Sequence, residues 1–185
     1  MANEPTCSTL AHPRGQKDLL NYRLKTLFAS SGAPGLRLFE GGFGIARAEW
    51  HLMAILVEDG AMSPTELGRR AHMESARASR LLTALLGKGL VLRTEREDDR
   101  RRATLEATAS ARELHAQIFP LLVRINAELI GALDADELAA FDRSLSKLTA
   151  RAGELATLHV VDVSANRWMG SARRDEKRKA GRPRT

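Results

Sequence analysis

The block from Ser63 to Thr108 leaves a chain few ways to fold. It opens with Ser63-Pro64-Thr65-Glu66, a helix start in which Ser63 can cap, Pro64 fits the first turn and Glu66 can complete a capping box. That helix is expected to be short, ending near Ala71. After "HME", the apolar residues Ala78, Leu81, Leu82, Leu85 and Leu86 form a narrow stripe that predicts a second helix over Ser75–Gly87. At about 100° per residue, its opposite side centres on Ala76, Arg80 and Thr83, flanked by Arg77 and Ser79. Gly89 stops the helix. "LVLRTE" (90–95) and "RATLE" (102–106) then alternate like strands, which puts the charged run "REDDRR" at the tip of a β-hairpin. Two helices joined by a tight turn, the second with arginines on its outer face, followed by a charged hairpin, is the order of a winged helix-turn-helix.

That order has a chemistry. A helix backed by leucines and fronted by arginines and small residues can lie in the major groove of double-stranded DNA. There Arg77 and Arg80 reach guanine edges or phosphates, and Ser75 and Ser79 offer hydroxyls. An arginine at the hairpin tip can enter the narrow, electronegative minor groove. The charge distribution agrees. Residues 63–102 carry ten basic against six acidic side chains, and residues 167–185 carry eight against two, whereas 103–166 carry five against nine. Clustered Lys and Arg neutralise phosphates and release counterions, so the expected partner is a polyanion.

The flanks read as helices and tails. Residues 1–15, with Pro5, Pro13 and Gly15, are expected to form a flexible arm. Leu20, Leu24, Leu27 and Phe28 fall at helical spacing; "SSGAPG" is expected to break that helix, Pro34 to open a short one, and "GGFG" to break it again, so that residues 16–44 hold N-terminal helices. A further helix, marked by Trp50, Met53, Ala54 and Val57, completes a DNA-binding domain over 45–109. From Ser110, Leu114, Ile118, Leu121, Leu122, Ile125 and Leu129 predict a long helix that Pro120 should bend. Asp134 and Glu137 can cap another, carrying Leu138, Phe141, Leu145, Leu148, Ala152 and Leu155. These seams in 110–157 imply helix pairing, which periodicity alone leaves open between packing within the chain and a dimer. Residues 158–185 read as a basic tail without folded structure. Its Gly181-Arg182-Pro183, with Arg184, is either the core of an AT-hook or part of a nonspecific basic arm, Ala180 standing where hooks usually have arginine.

With those elements placed, the sequence resembles the MarR (multiple antibiotic resistance regulator) family. The resemblance rests on Trp50, Leu67-Gly68, "SRLLTALLGKGLVLR" at 79–93, "DRR" at 99–101 and Thr108. It covers about residues 17–157, and 63–111 is the specific part. It implies a homodimer that binds a palindromic operator, with N- and C-terminal helices forming the dimer interface, and in many relatives repression released by a small, often phenolic, effector. By position, Arg101 matches the wing arginine of the minor groove and Asp99 the partner that holds its guanidinium, with Arg100 between them. Ala107 and Ala111 depart from the Leu and Gly usual in the closing motif, and the "SSGAPG…GGFG" interruption implies a divided first helix. Tyr22, Phe28, Phe39 and Trp50 fall near the family's ligand cleft and are the candidate effector pocket, although aromatics at helical spacing commonly serve the core.

The fold class is therefore mainly α with a small β-hairpin wing. The expected function is that of a dimeric transcriptional regulator, with an architectural nucleoid protein dominated by its tail as the alternative. No glycine-rich phosphate loop, nucleophile elbow or metal motif points to an enzyme or a cofactor. The five histidines lack ligand spacing, and Cys7, the single cysteine, has no neighbouring base or cation in sequence to activate it. No apolar run approaches the roughly 20 residues of a membrane span. With no secretory signal in "MANEPTCST", a bacterial-type cytoplasm, at the nucleoid, is the expected compartment.

Overall fold

A computed structural model of the chain describes residues 8–96 and 99–158. The chain divides at Ala132 into two compact units. The first holds α1 (Leu20–Leu36), α2 (Arg47–Asp59), α3 (Pro64–Arg70), α4 (Ser75–Gly87), β1 (Val91–Arg96), β2 (Asp99–Ala107) and α5 (Ala109–Ile130). The second holds α6 (Ala135–Thr157). The helices and the two-stranded antiparallel hairpin make the chain mainly α with a β wing.

The core of the first unit is built on α2. Leu52, Met53 and Leu56 are fully buried there and share one apolar cluster with Leu67 of α3, Leu85 of α4, Leu105 of β2 and Ile118 of α5. Burying each such side chain contributes about 1.5–3 kcal/mol. The arrangement uses what the sequence stripe offers: Ala78, Leu82 and Leu85 face inward from α4 while Leu81 and Leu86 are half-buried.

Local chemistry sets the ends of α4. Gly89 adopts φ +67, which an L side chain resists, and donates to the Leu86 carbonyl while Leu90 donates to that of Leu85. These two bonds satisfy the last carbonyls of the helix and bring Leu90 onto the core beside Leu85. At the other end, His72 makes the turn from α3 with φ 51, a left-handed conformation that costs a non-glycine residue about 1–2 kcal/mol. We expect His72→Gly to raise the melting temperature, by the equivalent of up to about 1 kcal/mol, and His72→Val to lower it by a similar amount. Thermal denaturation followed by circular dichroism reads both; equal melting temperatures would mean that the turn is unstrained.

The structure departs from the sequence reading in three places. "SSGAPG" does not break the first helix: α1 runs through Pro34 to Leu36 and passes into a π-turn over Arg37–Gly42, so the helix is not divided where expected. Pro34 lacks an N–H for the carbonyl four residues back, yet its fixed φ is helical, and the chain absorbs the loss instead of stopping. The capping box of α3 is half made. Ser63 Oγ accepts from Glu66 N at 3.1 Å, but the Glu66 carboxylate turns to Arg69 and Arg70 instead of back to the cap. β2 is longer than its alternation indicates, beginning at Asp99, while β1 keeps its expected length one residue further on; Arg96 pairs with Asp99, so part of the charged run belongs to the strands. Met62 adds an isolated antiparallel bridge to β2 through paired backbone bonds with Leu105, of 3.1 and 2.8 Å.

The wing is fastened to α5 by Thr108. Its Oγ1 accepts from Ala111 N at 3.1 Å, donates to the Gly89 carbonyl at 2.9 Å, and its own N–H meets the Leu90 carbonyl. Ala107 and Ala111, the two departures from the family pattern, are both buried at this junction. In the second unit, Asp134 and Glu137 form the full reciprocal cap of α6, with bonds of 2.8 and 3.0 Å.

Candidate nucleic-acid interface

The outer face of α4 is open. Ser75, Ala76, Arg77, Ser79, Arg80 and Thr83 are all exposed, while the residues between them go inward. The split follows from one helix having to bury its leucines against α2. Thr83 Oγ1 donates to the Ser79 carbonyl at 3.0 Å, which leaves its lone pairs outward as acceptors. A shallow concavity of about 270 Å³ runs between α3, α4 and the hairpin, with Thr65, Arg69, Ser75, Ser79, Thr83 and Arg93 on its polar wall.

Not every arginine near this face is equally available. On α3, Glu66 receives Arg69 at 2.6 and 2.8 Å and Arg70 at 2.8 Å; Arg70 also reaches Asp59 of α2 at 2.7 Å. Hydrogen bonds from the Arg69 and Arg70 guanidiniums hold the Glu66 carboxyl at about 2, well below the usual range. That network keeps charge on α3 locally balanced and leaves Arg77 and Arg80 of α4 as the arginines of the helical face.

Asp99, Arg100 and Arg101 stand on the backbone of β2, with Asp99 opposite Arg96 at the end of the ladder. Their side chains lie outside the described residues, as do the whole of Cys7, Arg182 and Arg184.

Elsewhere in the first unit, a cavity of about 190 Å³ lies between α1, α2 and α5. Of the four aromatic candidates, Phe39 and Trp50 line it. Phe28 is one step back and largely exposed, its ring under the Arg47 guanidinium at 4.2 Å, and Tyr22 does not line it. The remaining walls include Gly35, Arg47, His51, Leu122 and Ile125, which the sequence reading did not select. Arg47 could not be singled out because one arginine at a helix start carries no spacing signal; α1 and α5 have to fold against α2 to place it. Trp50 is held in an aromatic pile, with Phe39 at 5.3 Å, His115 stacked at 6.0 Å and Phe119 beyond it. His115 is anchored at its edge by Glu58, 2.9 Å from Nε2. Trp50 Nε1 is buried and has no hydrogen-bond partner among the described residues.

Two further facts bound the chemistry. Among the described residues no group of three His, Cys, Asp or Glu side chains is placed to hold a metal ion. No single helix there is long and apolar enough to cross a membrane.

Comparison with known proteins adds to this geometry. Residues 45–103 match the model of the MarR family. The HTH-type transcriptional repressor YetL of Bacillus subtilis is 28% identical over 81 residues, a stretch that takes in 43% of this chain and 48% of that repressor. The chain therefore spans about half the length of the curated relative it matches. Among solved structures, Streptococcus pneumoniae FabT in complex with DNA has a TM-score of 0.63 at 20% identity, covering 74% of this chain and 96% of that one. BpsR of Bordetella bronchiseptica, described with regulation of its DNA binding by 6-hydroxynicotinic acid, has a TM-score of 0.65 at 18% identity, covering 74% and 97%. At these identities the structures speak for the fold, and that fold is the winged helix.

Proposed function

We propose that this chain, whose residues 45–103 match the MarR family model, is a dimeric repressor that reads a two-fold symmetric operator. The observation that carries this reading is the division of α4 into a leucine-backed inner side and an open face of Ser75, Ala76, Arg77, Ser79, Arg80 and Thr83. That face enters the major groove, where Arg77 and Arg80 take guanine edges or phosphates. By the family resemblance, Arg101 enters the neighbouring minor groove from the wing, with Asp99 holding its guanidinium.

The dimer is supported by what each unit leaves uncovered. In α6, Phe141, Leu145, Leu148 and Leu155 follow one another at intervals of four, three and seven residues, as on one helix face, and are 40–46% exposed. In the first unit, Leu27 and Phe28 of α1 and Phe119, Val123 and Leu129 of α5 are exposed as well. Apolar seams of this spacing are covered by partner helices. A second copy of the chain supplies them, and two copies present two recognition helices to two half-sites.

The cavity beside Trp50 is the effector site in this reading. Its volume is of the order that admits a single aromatic ring, since a dry cavity of about 150 Å³ takes up benzene. Phe39, Leu122 and Ile125 offer the apolar walls, and Arg47 a positive charge for a carboxylate or phenolate. A small aromatic acid is the class that fits, and BpsR's 6-hydroxynicotinic acid is of that kind. The matched family model and the fold support a transcriptional regulator, and double-stranded DNA is the target in this reading.

The composition of residues 167–185 favours one other reading, a nucleoid-binding protein in which the tail, with Arg182 and Arg184, dominates. The wing separates the two. Arg101→Ala is expected to weaken binding to the selected operator by about 1–3 kcal/mol, measured by fluorescence titration of a labelled duplex. Undiminished affinity in that variant would remove Arg101 from the interface.

A further inference from the structure

Lysines in DNA-binding domains ordinarily serve phosphates, but Lys88 is turned the other way. It caps α4, one residue past the last helical turn, and its ammonium donates to Glu49 Oε2 at 2.6 Å and to the Gly44 carbonyl at 3.2 Å. Glu49 is the one charged residue among the described residues that is buried, 6% exposed in the first turn of α2. The same Oε2 accepts the Ala46 N–H at 2.8 Å, so Glu49 caps its own helix from within while it receives Lys88. Gly44 lies in the connection ahead of α2, at φ +62, directly after Phe43, whose N–H bonds the carbonyl of the cavity residue Phe39.

One ammonium thus joins three segments: the C-terminal end of the recognition helix, the connection leading from the N-terminal helices, and the start of α2. Both bonds are charge-assisted, and the one to Glu49 is short. A carboxylate as buried as Glu49 needs a cation, and breaking such a pair by removing one partner is far costlier than replacing both. With two of its three N–H donors spent inward, Lys88 fixes where α4 ends. Leu90 bonding back to Leu85 fixes how the chain leaves it. Base readout needs side chains held to a fraction of an ångström, so the anchor of the helix matters as much as its face.

We propose that Lys88 is a positioning residue for DNA recognition: through Glu49 and Gly44 it sets the recognition helix in the register required for base contacts, without itself contacting DNA. The proposal rests on the reading of α4 as the DNA-reading helix.

The test uses the full-length chain and two duplexes, one enriched by the wild type from a random pool and one of shuffled sequence. Lys88→Met is expected to lower affinity for the enriched duplex about tenfold, the size of a lost base contact, and to leave the shuffled duplex unchanged. The slope of log affinity against log salt stays as in the wild type. Glu49→Gln, which removes the partner and not the lysine, behaves the same way, and Lys88→Arg retains most of the affinity. A phosphate contact would instead weaken both duplexes and make the slope shallower by about 0.9, which overturns the proposal. A merely structural role would lower both affinities in proportion to the folded fraction, and that overturns it too. If the wild type enriches no duplex, the regulator reading itself fails. The anchor is then judged by amide hydrogen exchange of the free protein. Lys88→Met should speed exchange together at Ala46 and at Gly89–Leu90 while Leu67 is unmoved; unchanged exchange at Ala46 rejects it.

Discussion

Leu85→Ala is expected to cost about 2–5 kcal/mol of folding stability, the range for emptying a leucine site in a packed core. Leu85 is fully buried, and its cluster draws on every element of the winged domain: Leu52 and Leu56 from α2, Leu67 from α3, Leu105 from β2 and Ile118 from α5. Its carbonyl also accepts the Leu90 N–H that closes α4, so no backbone shift toward the void is free of consequence. Small domains hold only about 5–15 kcal/mol in total, and this one change removes a large part of that. Urea denaturation reads it as a lower midpoint at an unchanged slope. A loss below about 1 kcal/mol would mean that α4 is not seated on the core as described, and the exposed face argued from that seating would lose its basis.

The second large effect is expected from Leu145→Glu with Leu148→Glu on α6. Both side chains are exposed in the single chain, at 40% and 46%, so the substitution asks nothing of the fold of the unit itself, and glutamate is a good helix former. Against a partner helix the same carboxylates would be desolvated without cations to meet them. The variant should sediment as a monomer with the helical circular dichroism of the wild type. Splitting the dimer also turns the second half-site contact from an intramolecular event into an independent one, which lowers operator affinity by a factor of about 10²–10⁴. A variant that remains dimeric would move the interface off the α6 seam.

Much of this molecule was legible as local pattern. The bounds of α4 coincide with the expected Ser75–Gly87, because its apolar stripe, its open face and the glycine that ends it are all sequence-local. The cap of α6 was equally plain, since both bonding partners sit three residues apart. What stayed hidden depends on distant residues meeting. Glu49 and Lys88 are thirty-nine positions apart, and neither is unusual until α2 and α4 cross. Met62 reads as a loop residue until Leu105 offers it a bridge. The cavity needs α1, α2 and α5 together, which is why Phe39 and Trp50 line it while Phe28 and Tyr22, chosen with them from the family resemblance, do not. Pro34 misled for a different reason. Proline signals a break by its missing donor, but a helix of seventeen residues tolerates one lost bond.

The central claim is that α4 reads base sequence, in two copies related by two-fold symmetry. The most direct measurement is selection of duplexes from a random pool by the full-length protein, repeated with Arg77→Ala and with residues 167–185 deleted. The account predicts one enriched site with two inverted half-sites about one helical turn, 10–10.5 base pairs, apart. Enrichment should be lost with Arg77→Ala and kept when the tail is removed, with affinity lowered at low salt and converging on that of the wild type as salt rises. Unselective recovery of all sequences, untouched by Arg77→Ala and abolished with the tail, would contradict it.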